Sequence, residues 1–186
     1  MSIIAILAGL TLNGMKMANN KGAAARTEAL KKMIELALDR YELEYGGYPA
    51  NITNPMTATD DSAYSTSLIN TIEAEEALLL YRVVTGDLNG DGIIATDGTE
   101  EPLIEVGFAG QSDKHGYSAL IEGKSPGDTD AYALVDGWGN PFRYFHAGSF
   151  PPATTIMKNG TYDLWSYGID EPGVGTPNEA RWIKNW

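Results

Sequence analysis

Cysteine is absent from this 186-residue chain. That removes disulfide frameworks, thiolate metal sites and cysteine nucleophiles together, and leaves the redox compartment open. Histidine is scarce: His115 and His146 are the only two. They are not a metal-spaced pair, and neither stands near a G-x-S-x-G elbow. A P-loop, a dinucleotide fingerprint and a zinc pattern are missing as well. A Ser/His/Asp triad can be assembled on paper, but that holds for most chains, and the expectation is a protein that is not an enzyme. A long hydrophobic run is also lacking. Ile3 to Leu12 supplies roughly ten residues where a spanning helix needs about twenty. No basic segment precedes that run and helical pattern continues past it, which does not suit a signal peptide.

Positive charge is short in one region only. Residues 1–50 carry six Lys/Arg against five Asp/Glu, whereas residues 51–186 carry seven against twenty, for a net charge of −12. A surface of that sign repels phosphate backbones, so no nucleic-acid partner is expected. It suits hard divalent cations better, although solubility alone accounts for most of the acidic residues. Apolar and charged fractions of 43% and 20% suit one globular domain rather than a disordered chain.

What is present begins with a helical pattern from Ser2 to Tyr45, apolar all round at its start and striped later. Two environments follow: lipid or other copies of the helix for the first part, and a globular head for the second. Glycines 9, 14 and 22 each weaken a helix by about 1 kcal/mol relative to alanine. They mark either a softer stretch or places where neighbouring helices approach. From Arg26 the stripe Leu30, Met33, Ile34, Ala37, Leu38, Tyr41, Tyr45 is firm, with Lys31, Lys32, Glu35, Asp39 and Glu42 off it. Gly46-Gly47 and Pro49 stop it.

Ala50 to Ser67 reads as a surface loop. A second helix is predicted from Leu68 to Val84, with Asn70 or Thr71 as cap, Glu73, Glu75 and Glu76 near its start, and Leu68, Ile72, Leu79, Leu80 and Val83 as its apolar face. Short apolar or aromatic runs follow at Leu103–Val106, Tyr132–Val135, Phe142–Phe145 and Tyr162–Tyr167, the last two as antiparallel partners. Helix first and antiparallel sheet later makes the fold class α+β: a long N-terminal helix (1–45) packed on a small head (46–186).

The sharpest chemical signal is Asp87-Leu88-Asn89-Gly90-Asp91-Gly92-Ile93-Ile94-Ala95-Thr96-Asp97, within an Asp-rich loop spanning 87–101. Side-chain oxygens at positions 1, 3 and 5, glycine at 6, a backbone carbonyl from Ile93 at 7 and an aliphatic residue at 8 match a calcium loop. The bidentate acid usual at position 12 is replaced by Gly98. Asp97 comes one residue early, and Glu100 and Glu101 come late, which points to weak, extracellular-grade affinity. The competing reading is an Asn-Gly/Asp-Gly turn that resembles a ligand loop by composition. Trp138, Trp165, Trp182 and Trp186 suit packing first and a sugar cleft second.

Three stretches together resemble a known family. Ile3-Ile4-Ala5-Ile6-Leu7-Ala8 resembles the second half of the N-terminal helix of type IV pilin-like proteins. Tyr41 through Tyr45-Gly46-Gly47-Tyr48-Pro49 resembles the entry of that helix into the head. Asp136-Gly137-Trp138-Gly139-Asn140-Pro141-Phe142-Arg143-Tyr144, then Tyr162-Asp163-Leu164-Trp165-Ser166-Tyr167-Gly168-Ile169-Asp170 and Ile183-Lys184-Asn185-Trp186, resemble the major pseudopilin of type II secretion systems.

The resemblance implies a subunit of a helical filament that buries its N-terminal helices centrally. It implies a home in the inner membrane before assembly and in a periplasmic or extracellular filament after it, with the inner-membrane assembly machinery as partner. It also implies calcium in the C-terminal loop, where Asp170 matches one ligand and Trp182 replaces the family's aspartate. Asn178, Glu179 or Glu171 is left to substitute, or the Asp87–Asp97 loop to take the role. The family's G-F-T-L-I-E start is not found, and the expectation is that the front half of the helix precedes Met1. The alternative is a minor or adhesive pilin-like module whose head recognises a surface or glycan.

Overall fold

In the computed structural model the described residues are 2–49, 72–93, 103, 118–120, 125, 127–129, 131–146, 158–170 and 178–186, with side chains from residue 13 in the first helix and from 77 in the second. Helix α1 runs unbroken from Ser2 to Tyr45 and α2 from Ile72 to Thr85. The strands are β1 (Ser118–Leu120), β2 (Tyr132–Leu134), β3 (Arg143–His146), β4 (Tyr162–Ser166) and β5 (Ile183–Lys184), with a 3-10 turn at Glu179–Arg181 before the last. At 44 residues, α1 is about 66 Å long. Among the described residues no helix is long and apolar enough to cross a membrane.

Both helices stop where glycine permits a left-handed residue. Gly46 (φ 78°) donates its amide to the Glu42 carbonyl, and Gly86 (φ 76°) does the same to Arg82. A side chain there would be strained, so each glycine is a C-terminal cap. Strands β1 and β2 form one antiparallel pair, and β3-β4-β5 a three-stranded antiparallel sheet. Pairing of Arg143 with Trp165 and His146 with Tyr162 sets the β3–β4 register, as the two aromatic runs predict. The fold is therefore α+β, a long N-terminal helix lying on a small head with a second helix and antiparallel strands.

The core joins both helices to β2, β3 and β4. Leu30, Ile34, Ala37 and Leu38 from α1 meet Leu80, Tyr81 and Val84 from α2, and Leu134, Phe142, Tyr144, Tyr162 and Leu164 from the strands. Burying each large apolar side chain is worth about 1.5–3 kcal/mol, so the second half of α1 is part of the head rather than a stalk beneath it. Its first half is different: residues 13–19 are exposed on every side.

Three details differ from the periodicity reading. Tyr45, placed on the buried stripe, is 64% exposed, its ring against Tyr41 at 4.4 Å; the stripe runs past the edge of the sheet. Lys31, placed off the stripe, is only 9% exposed. Its ammonium donates to the Lys184 carbonyl at 3.2 Å and pairs with Glu35 at 3.5 Å and Glu28 at 3.8 Å, which compensates its burial. On α2 the buried side chains are Ala77, Leu80, Tyr81 and Val84, with Leu79 and Val83 only partly covered. The helix is turned so that Tyr81 can reach Asp87 with its hydroxyl and stack on Tyr132 at 6.1 Å. The predicted loop at 50–67, the predicted first turn of the second helix at 68–71, residues 104–106 of the first short apolar run, Asp97, Glu100, Glu101, His115 and Glu171 lie outside the described residues.

Candidate functional site

Two aspartate turns organise the head, each built from one buried carboxylate and the amides that follow it. The first is the predicted ligand loop. Asp87 is fully buried just beyond the end of α2. One of its oxygens accepts the Gly90 amide at 2.7 Å; the other accepts the Gly92 amide at 2.7 Å and the Tyr81 hydroxyl at 3.1 Å. Gly90 and Gly92 have φ of 70° and 86°, which lets the chain fold around the carboxylate. A side chain at Gly92 would also strike the Tyr132 ring, 2.4 Å from the added carbon.

Asn89 and Asp91 point the other way. Asn89 accepts the Asp91 amide at 2.9 Å, and Asp91 accepts the Ile93 amide at 2.8 Å while its second oxygen receives the Asn89 side-chain N–H at 3.1 Å. Asp87 thus serves as the internal post of the turn, and Asn89 and Asp91 present oxygens to solvent. The described half of the loop is held by its own hydrogen bonds. Each oxygen retains a second lone pair, and a cation would engage Asn89 and Asp91 by displacing the bond between their side chains. Ile93 is the last described residue of this loop, and Asp97 lies outside the described residues. Among the described residues, no group of three acidic or imidazole side chains converges.

Asp170 stands apart from that loop. It accepts the Asn178 amide at 3.1 Å and an Arg181 N–H at 3.2 Å. Glu179 is engaged by Lys184 at 2.8 Å and by the Trp186 indole at 3.2 Å, and the Lys184 and Trp186 hydrogen bonds hold its carboxyl below the usual range. The C-terminal turn has therefore recruited side-chain cations to its carboxylates.

The second aspartate turn is Asp136–Asn140, and its role in gripping α1 was not read from the sequence. Asp136 is 1% exposed. One oxygen accepts the amides of Trp138 (2.8 Å) and Asn140 (2.9 Å), and the other accepts the Ser166 hydroxyl in a short bond. Burial raises its carboxyl above the usual value, with these hydrogen bonds pulling it back down. Asn140 donates to the Gly168 carbonyl at 3.0 Å, and the Gly168 amide returns to Ser166 at 2.9 Å, which locks the turn to the end of β4.

This turn grips α1. Thr27 Oγ1 donates to the Ala23 carbonyl and accepts the Gly137 amide, both at 2.8 Å, so a buried hydroxyl is satisfied twice. Arg26 donates to the Gly137 carbonyl at 3.2 Å, and the Trp138 indole donates to Asn20 at 3.4 Å. A β-carbon on Gly137 would lie 2.3 Å from the Ala23 carbonyl oxygen; backbone meets backbone here, and only glycine fits. One signal for the contact was available: Thr27 falls on the apolar stripe, three residues before Leu30.

The remaining candidates are packed against the protein itself. Trp165 is 1% exposed with Trp186 edge-on at 5.9 Å, and Trp182 meets Tyr167 edge-on at 4.9 Å. Half-buried His146, its pKa lowered by burial, lies 6.2 Å from the Tyr48 ring. Partial burial and the carboxylates of Glu42 and Asp39 push Tyr48 up to about 12. No protein-family model, curated protein or solved structure matches this chain.

Proposed function

We propose that this protein is a structural subunit of a pilin-like filament, of the kind formed by the major pseudopilin of type II secretion systems, and that it assembles through α1. The observation that carries this reading is the uneven burial of α1. From Thr27 to Leu38 its stripe is buried in the head, whereas residues 13–19 are exposed all round, with Met15 and Met17 among them. Exposed apolar residues on a helix that outruns its own domain are satisfied most simply by more copies of that helix. Before assembly the subunit resides in the inner membrane, and its assembly machinery there is its other partner.

Calcium bound at Asn89, Asp91, the Ile93 carbonyl and Asp97, on the turn built by Asp87, would add rigidity to the edge of the head. A divalent ion there neutralises part of an acidic surface that otherwise repels its neighbours in a filament. Negative-stain microscopy of the full-length protein at high concentration tests the filament reading: ordered filaments are expected, and a protein that stays monomeric is not this kind of subunit.

A further inference from the structure

Two exposed regions of α1 differ in the sign of their charge and share apolar character. The first is an open groove of about 510 Å³ between the helix and the Asp136–Asn140 turn, lined by Asn13, Lys16, Met17, Lys21, Trp138 and Ile169 among others, with no acidic residue in its lining. Residues 13–27 carry Lys16, Lys21 and Arg26 and no carboxylate. The second is the C-terminal end of the helix. Residues 35–45 carry Glu35, Asp39, Glu42 and Glu44 against Arg40, and Arg40 is already donated to the Leu103 carbonyl. Leu36 and Leu43 are exposed there, Leu43 to 87%.

The acidic end contradicts local helix chemistry. A helix C-terminus carries partial negative charge and favours basic residues, each like charge there costing about 0.3–1 kcal/mol. The last turn of α1 has no basic residue, whereas that of α2 has Arg82. Glu35 pairs with Lys31, and Glu42 and Asp39 face the Tyr48 hydroxyl. The helix terminus itself has no basic partner in its last turn, and a cation arriving from another molecule supplies one.

We infer that a second copy of this chain is the partner: its acidic helix end, with Leu36 and Leu43, seats on the Lys16/Lys21 side of the Met17–Trp138–Ile169 groove. One molecule cannot make this contact with itself. Met17 and Leu43 are 26 residues apart on one continuous helix, about 39 Å. The two patches are different surfaces, so a head-to-tail contact leaves a free patch at each end and propagates a filament, whereas an antiparallel pair would use both patches at once and close as a dimer. Crosslinks that stop at the dimer would overturn the inference. The inference rests on the filament reading and names the surfaces that reading needs.

The absence of cysteine makes the test direct. Met17→Cys and Leu43→Cys together place two thiols that cannot bridge within one chain, since a disulfide needs α-carbons about 4.4–6.8 Å apart. Under mild oxidation the assembled double variant is expected to give a ladder of covalent multimers, with each single variant staying largely uncrosslinked. A second arm uses charge: Lys16→Glu/Lys21→Glu and Glu42→Lys/Glu44→Lys should each raise the concentration needed for assembly about tenfold at low salt. Mixing the two variants should restore assembly, because each then offers the surface the other lost. Their monomers should melt within about 2 °C of the parent, the only intramolecular contact removed among the described residues being that of Glu42 with the Tyr48 hydroxyl. Filaments that form without 17–43 crosslinks and ignore both charge changes would overturn the inference while leaving the filament reading intact. A parent protein that never assembles would overturn both.

Discussion

The Asp87 and Asp136 turns use the same local device and reach different ends. Each buries one aspartate to 1% exposure or less, and each wraps two later amides and a hydroxyl around it, from Tyr81 in one case and Ser166 in the other. Around Asp87 the loop turns its remaining oxygens, on Asn89 and Asp91, toward solvent. Around Asp136 the turn presents backbone, and that backbone grips α1 at Ala23 and Thr27. A buried aspartate at the head of a turn therefore states that the turn is rigid. What the turn serves depends on what its outer face meets.

The largest effect expected from breaking this contrast is at Gly137. Gly137→Ala should cost about 3 kcal/mol, since the added carbon meets the Ala23 backbone and neither side can yield without moving the helix. Gly139→Ala, in open space at φ 92°, should cost only about 1 kcal/mol of backbone strain. Urea unfolding of both variants measures the difference. Equal costs would mean that the turn does not hold the helix by close approach.

A sharper comparison comes from pH. Asp136→Asn keeps an acceptor for the two amides and can donate to Ser166, while removing ionisation. Because the folded-state pKa of Asp136 is raised above 3.8, its neutral form is favoured on folding. That stability is fully present below the unfolded value and is lost as pH rises through the folded one. The substitution should therefore cost more at pH 3 than at pH 7. Denaturant titrations at the two pH values check the sign, and a larger cost at pH 7 would show that the ionised carboxylate is the form the turn prefers.

The smallest effect is expected at the other turn. Millimolar calcium should raise the melting temperature by about 2–4 °C over a chelated sample, the scale of a weak site near saturation. Asp91→Ala should abolish the shift without lowering the chelated melting point by more than about 2 °C. A melting curve indifferent to calcium would leave the Asp87 loop as a turn only.

Much of the fold follows from short-range pattern. The stripe from Leu30 to Leu38 and the glycine stop at Gly46 are legible because each depends on neighbours a few residues away, and the antiparallel pairing of the two aromatic runs joins strands separated by a single loop. Even the internal geometry of the Asp87 loop is local, since its carboxylate reaches amides only three and five residues on. The function of that loop was less legible, because the spacing that places ligand oxygens also places turn acceptors.

Other features depended on which surfaces came together. Lys31 looks solvent-facing by period, and its burial follows from the arrival of the Lys184 carbonyl from 153 residues away. The face that α2 buries was set by Tyr81 finding Asp87 and Tyr132. The grip of Gly137 on Thr27 spans 110 residues, and nothing near Gly137 in the chain announces it. Periodicity and turn chemistry act through bonds and neighbours that travel with the residue, so they survive in the sequence alone. Burial, close approach and the pairing of a stranded charge belong to two segments at once, and exist only after the chain has brought them into contact.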